Sequence, residues 1–202
     1  MKHIVIYVHG KGGSAEEAEH YWPLFPDAEV IGFDYRAQTP WEANEEFPAF
    51  FRTQKARCAC LRLIANSIGA FFSLASLSKA LVDEAYLISP VVDMRQLIEN
   101  MMQWAGVSEQ ELAEKQEIPT QFGETLSMQY LRYVREHPIV WQVPTHILYG
   151  EHDNLTSMQT ISAFAEKTGA ALSVMPGGEH WFHTEAQMQF LDRWLQTRSQ
   201  KV

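Results

Sequence analysis

The stretch Ala65-Asn66-Ser67-Ile68-Gly69 decides how this chain is read. Ahead of it runs an apolar segment containing Leu61, Leu63 and Ile64. Behind it comes Ala70-Phe71-Phe72-Ser73-Leu74-Ala75, which reads as a helix. A strand that turns sharply into a helix with a serine at the apex has the geometry of a nucleophile elbow. The turn pushes the hydroxyl out of the backbone, and small residues two places before and two after keep strand and helix from colliding. A serine so placed implies hydrolytic chemistry, which requires a base, an acid and an oxyanion hole.

Outward from the elbow, short apolar runs alternate with helical patterns. Candidate strands are Ile4–Val8, Glu29–Phe33, Leu61–Ala65, Glu84–Ile88, Thr145–Tyr149 and Ala171–Met175. Several helix starts carry an S/T-x-x-E/Q capping box: Ser14 with Glu17, Ser108 with Glu111, Thr156 with Gln159, and Thr184 with Gln187. Gly169 supplies a C-terminal stop for the helix that Thr156 opens. Such alternation predicts a three-layer α/β sandwich, with a mostly parallel sheet of about six strands and helices on both faces. In sheets of this kind ligands bind where loops leave the C-terminal strand ends. Residues 93–138 break the alternation with two or three helical patterns and no obvious strand. One apolar stripe there holds Leu97, Ile98, Met101, Met102 and Trp104; another holds Leu126, Tyr130, Tyr133 and Val134. We expect residues 1–202 to form one domain and 93–138 a small helical cap inserted within it.

Composition bounds the remaining classes. With 16 basic and 25 acidic residues the formal charge is −9, which argues against a nucleic-acid or anionic-membrane partner. No apolar run approaches the roughly 20 residues that span a bilayer. The N-terminal apolar run is short and ends in a Gly-rich loop, so it reads as a core strand rather than a signal peptide. Cys58 and Cys60 are too close for an unstrained disulfide and too few for a zinc site, and as free thiols they fit a reducing compartment. The expected location is the cytoplasm.

The partners of Ser67 follow from chain order, because with this elbow the acid precedes the histidine. Of the histidines after Ser67, His146 falls inside a strand, His137 precedes a proline in the insert, and His152 lies in the fifth strand's loop. His180, in Pro176-Gly177-Gly178-Glu179-His180 after the last strand, is the expected base, with His183 second. Asp153, in the loop after the fifth strand, is the expected acid. Glu151 and Asp93 are alternatives, and Asp83 sits at the wrong strand end. An oxyanion hole takes two preorganised N–H donors. Ile68 N–H opens the elbow helix. Lys11 N–H, with Gly12 second, comes from His9-Gly10-Lys11-Gly12-Gly13-Ser14, where glycines allow close approach to a ligand. His9 is expected to shape that loop. The chemistry calls for no metal or organic cofactor, and the partner is a small acyl substrate.

The same loop admits a second reading. Gly10, Gly12 and Ala15 satisfy G-x-G-x-x-[GA], and Asp34 follows 24 residues after Gly10, as in a dinucleotide-binding unit. That reading leaves Ser67, Asp153 and His180 without a role. A non-catalytic ligand receptor on the same fold is a further alternative.

From His9-Gly10 through the elbow to Asp153 and His180, the chain resembles the small α/β-hydrolases, esterase-like serine enzymes. The resemblance implies that the HG loop gives one oxyanion donor, that Ser67 is the nucleophile, and that Asp153 and His180 complete a triad. It also implies that two N-terminal strands of the family are absent and that 93–138 occupies the cap position. One departure is Ala65, where the family carries glycine.

Overall fold

The computed structural model describes residues 2–199. Its strands, in chain order, are β1 (His3–Val8), β2 (Ala28–Gly32), β3 (Cys60–Asn66), β4 (Glu84–Ile88), β5 (Glu117–Pro119), β6 (Thr125–Ser127), β7 (Thr145–Gly150) and β8 (Ala171–Met175). The helices are α1 (Pro40–Lys55), α2 (Ser67–Ser76), α3 (Met94–Ala105), α4 (Glu109–Lys115), α5 (Met128–Glu136), α6 (Met158–Thr168) and α7 (Glu185–Ser199), besides a 3-10 helix over Ala15–Leu24. The chain divides into two compact units, Asp93–Ile139 and the remainder.

In the larger unit six strands pair in the order β2-β1-β3-β4-β7-β8, every pair parallel. Central strands covered on both faces should be apolar at every position, and in β1 residues Ile4, Val5, Ile6 and Val8 are fully buried. One face packs Val5, Tyr7, Ile64, Tyr86 and Leu148 against Tyr21 of the 3-10 helix and Leu191, Trp194 and Leu195 of α7. An aromatic cluster joins α1 and α2, with Phe33–Phe47 ring centres 5.0 Å apart and Phe47–Phe72 at 6.2 Å. The result is a three-layer α/β sandwich.

Strand order also fixes where a site can form. After β1 the chain moves to one side of it for β2, then crosses back to pair β3 on the other side. The C-terminal ends of β1 and β3 therefore flank the point at which strand order reverses, where the departing loops leave a crevice. In the dinucleotide-binding order strand 1 lies beside strands 2 and 4; here β1 lies between β2 and β3.

Some local expectations needed revision. Ser14 makes no side-chain capping bond, and the segment it opens is a 3-10 helix rather than an α-helix. The cap of α6 is Ser157, which accepts from Thr160 N at 3.1 Å; Thr156 instead donates its hydroxyl to Pro90 O. Ser108 caps α4 as expected, and Thr184 and Gln187 bond reciprocally before α7. A further capping box, Thr39 with Glu42, opens α1 ahead of Pro40.

The unit Asp93–Ile139 holds α3, α4 and α5 and an antiparallel pairing of β5 with β6 that the apolar stripes did not reveal. Leu97, Ile98 and Met102 are buried as the stripe predicts, whereas Trp104 is exposed and meets Phe122 edge-on. Arg135 ties the unit together by ion pairs to Glu99 at 3.1 Å and Glu109 at 2.6 Å. Cys58 and Cys60 are free and half-buried, and burial pushes both thiols above their ordinary range. Among the described residues no helix is long and apolar enough to cross a membrane.

Candidate functional site

Ser67 is the first residue of α2, directly after β3, and its φ is +51°. A non-glycine residue there is strained by roughly 1–3 kcal/mol and persists only where its surroundings hold it. The surroundings are tight: a Cβ on Gly69 would stand 2.2 Å from His9 O, and one on Gly10 would stand 3.2 Å from Ser67 Cβ. Ala65 is fully buried in β3, so a methyl group fits where the elbow pattern has glycine.

The structure brings Ser67, His180 and Asp153 together. Ser67 Oγ lies 2.8 Å from His180 Nε2, and His180 Nδ1 lies 2.7 Å from Asp153 Oδ2. The Asp153 side chain is fully buried and that of His180 is 15% exposed. Water is therefore excluded from the carboxylate but reaches the imidazole. The second oxygen of Asp153 accepts from Leu155 N at 2.8 Å and Thr156 N at 3.0 Å, so a local turn fixes the carboxylate. Beneath it, Tyr149 donates to Thr156 O at 2.8 Å; burial, then the Asp153 charge, pushes its phenol above the usual range.

The alternatives lie elsewhere or hold other partners. Glu151 accepts from Gly177 N, and Asp93 caps α3 through Gln96 N. His183 is exposed, bonded to Trp181 O and stacked on the Trp181 ring. His152 N donates to Gly178 O. His146 pairs with Glu84 near the N-terminal ends of their strands, His137 bonds Tyr133 O in the smaller unit, and Asp83 pairs with Lys55.

The loop after β1 faces Ser67. Gly13 N donates to Gly10 O at 3.2 Å to close a turn, and Gly12 has φ +75°. His9 holds this loop: its Nδ1 contacts Gly10 O at 2.8 Å, its ring stacks on Tyr35 at 4.4 Å, and the Tyr35 hydroxyl donates to His9 O at 3.0 Å. Ile68 follows Ser67 in the first turn of α2, where the helix dipole is positive.

A cleft of about 620 Å³ opens at Ser67 and His180, with Gly10, Lys11, Gly12 and Gly13 on its wall. Ile88, Leu155, Phe182, Met188 and Leu191 make its apolar side. Tyr7, Glu17, His20 and Tyr21 make a polar end that sequence reading did not find. Glu17 read as a capping partner and Tyr7 as a core strand residue; only the tertiary pairing of β1 with the 3-10 helix brings them to one cavity. Among the described residues no group of three or more His, Cys, Asp or Glu is placed to hold a metal ion.

Neither a protein-family model nor a curated protein sequence matches the chain. Solved structures do match its fold. Est1E from Butyrivibrio proteoclasticus superposes with TM-score 0.79 at 15% identity, over 99% of this chain and 88% of that one. Alpha/beta hydrolase domain-containing protein 10 from mouse gives 0.76 at 15%, over 98% and 90%. An esterase of Pyrococcus furiosus gives 0.63 at 17%, over 98% and 81%. Together with the parallel sheet and the strained serine at the β3–α2 turn, these likenesses establish that the chain has the α/β-hydrolase fold.

Proposed function

We propose that the chain is a serine hydrolase that cleaves a small ester through an acyl-enzyme intermediate. The observation that carries this reading is the continuous relay from Ser67 Oγ through His180 to the buried Asp153 carboxylate. His180 Nε2 takes the serine proton as Oγ attacks the carbonyl carbon, and Asp153 holds the Nδ1–H tautomer and stabilises the imidazolium. The N–H groups of Ile68 and Lys11, with Gly12 as the second choice for the loop donor, receive the developing oxyanion. Each such donor contributes about 3–4 kcal/mol to lowering the barrier. His180 then protonates the leaving alkoxide, removes a proton from water, and returns it to Ser67 as the acid departs.

Ester, thioester and peptide substrates share this mechanism. The apolar wall of Ile88, Leu155 and Phe182 favours a small apolar acyl or alcohol group. The half-buried free thiols fit a reducing compartment and support a cytoplasmic location. The test is covalent labelling by a fluorophosphonate probe together with turnover of p-nitrophenyl esters of graded chain length. Both should vanish in Ser67→Ala. Labelling or turnover undiminished in that variant would refute the assignment.

A further inference from the structure

The polar end of the cleft takes no part in the steps above. Glu17 is exposed on the 3-10 helix, and its carboxylate accepts a hydrogen bond from the Tyr7 hydroxyl. That hydroxyl also bonds the side chain of Asn66, the residue before Ser67. The Gly10–Gly13 turn spans the same interval. A Cβ on Gly10 would lie 3.2 Å from Ser67 Cβ, and a Cβ on Gly13 would lie 2.8 Å from Glu17 Oε1. A turn of this kind keeps its end α-carbons within about 7 Å. Glu17 and Ser67 therefore stand at opposite ends of one four-residue turn, and both line the same cleft.

Charge decides what that carboxylate suits. Burial, then the neighbouring Tyr21 and Glu17, pushes the Tyr7 phenol far above its ordinary range, so Tyr7 remains a donor and Glu17 remains its acceptor. Burial, then the charges of Glu17 and Asp192, does the same to Tyr21. Burial is the larger cause at both phenols, and the Glu17 charge adds to it. His20 is engaged with Asp192, Nε2 to Oδ1 at 2.7 Å. Lys11 lines the cleft on its loop side. An ammonium group would bond the carboxylate with charge assistance, roughly twice as strongly as a neutral donor.

We propose that Glu17, oriented by Tyr7, is a specificity-determining residue that recognises a protonated amine on the substrate. This rests on the hydrolase reading for its substrate but not for its binding chemistry, and the two are tested separately. The Ser67→Ala protein is titrated with 2-phenylethylammonium and with 2-phenylethanol, which differ in the donor group. The ammonium should bind at least about fivefold tighter, and the advantage should fall below about twofold when Glu17→Gln is added. Equal binding of the two ligands, or an advantage that survives Glu17→Gln, overturns the proposal whatever the fate of the hydrolase reading.

With wild-type protein, kcat/KM for p-nitrophenyl esters of glycine, β-alanine and 6-aminohexanoate is compared with acetate, propionate and hexanoate. Each pair is normalised to its hydroxide rate. At least one amine ester should exceed its neutral counterpart by about tenfold, and Glu17→Gln should erase most of that ratio. Tyr7→Phe should lower the ratio as well, with circular dichroism checking that it folds. A preference for the monosuccinate ester instead, which would make Lys11 the deciding charge, overturns the proposal.

Discussion

Gly69 and His9 meet through bare backbone: a Cβ on Gly69 would stand 2.2 Å from the His9 carbonyl oxygen. The elbow helix and the end of β1 are therefore in close contact here, with the Val8 side chain and carbonyl also within 3.0 Å of that position. Adding one methyl group must move one of them. Gly69→Ala should destabilise the protein by about 2–3 kcal/mol in urea unfolding. Ester turnover should fall with it, because the loop carrying Gly10 to Gly13 is displaced from Ser67. Stability within about 0.5 kcal/mol of wild type, the size of an ordinary surface substitution, would count against this packing.

Ser67→Gly should separate stability from activity. Glycine adopts φ +51° freely, so relief of strain should raise unfolding free energy by about 1 kcal/mol while turnover disappears. A midpoint no higher than that of Ser67→Ala, which loses the same hydrogen bond to His180, would count against strain at Ser67.

Asp153→Asn keeps an acceptor for Leu155 N and Thr156 N but presents His180 Nδ1 with an amide. The fold should hold, and kcat on a p-nitrophenyl ester should drop on the order of 10⁴-fold as the imidazole loses its required tautomer. Steady-state kinetics decide it, with near wild-type kcat as the contrary result.

Glu84 gives a pH prediction at the other end of the sheet. Burial by itself would raise its carboxyl, but contacts from His146 and Tyr86 and the Arg62 charge outweigh burial and hold it below the usual range. The Arg62–Glu84 pair is enclosed, with side chains 10% and 16% exposed. A depressed carboxyl stabilises the fold above its unfolded value, about 4.3, and that stabilisation is lost as pH falls through the lower folded value. Glu84→Gln should therefore cost about 3 kcal/mol near neutrality. The gap to wild type should narrow as pH falls below about 4.3 and close only beneath the lower folded value, in unfolding curves taken across pH.

Periodicity carried most of the sheet into view. Glu84–Ile88 and Ala171–Met175 match their strands end to end: Ala85–Ile88 of β4 is buried, and the half-exposed edge strand β8 still reads as a short, mostly apolar run. The elbow and the loops after β7 and β8 were readable because a serine, an acid and a histidine follow one another at successive strand ends. Glu17 was not readable. Its spacing from Ser14 fits a capping box, and only the fold reveals that Tyr7 takes the carboxylate instead. The β5–β6 pairing was hidden for a different reason: three-residue strands such as Glu117–Pro119 are too short to show a period.

Ser67 and His180 are 113 residues apart in sequence, and the histidine follows β8, an edge strand of the sheet. A growing or partly unfolded chain can hold the elbow without holding the imidazole. Under the proposed chemistry the serine stays inert until the final strand docks on β7. Reactivity would then be timed by assembly itself, and probe labelling of Ser67 would count completed sheets rather than chains.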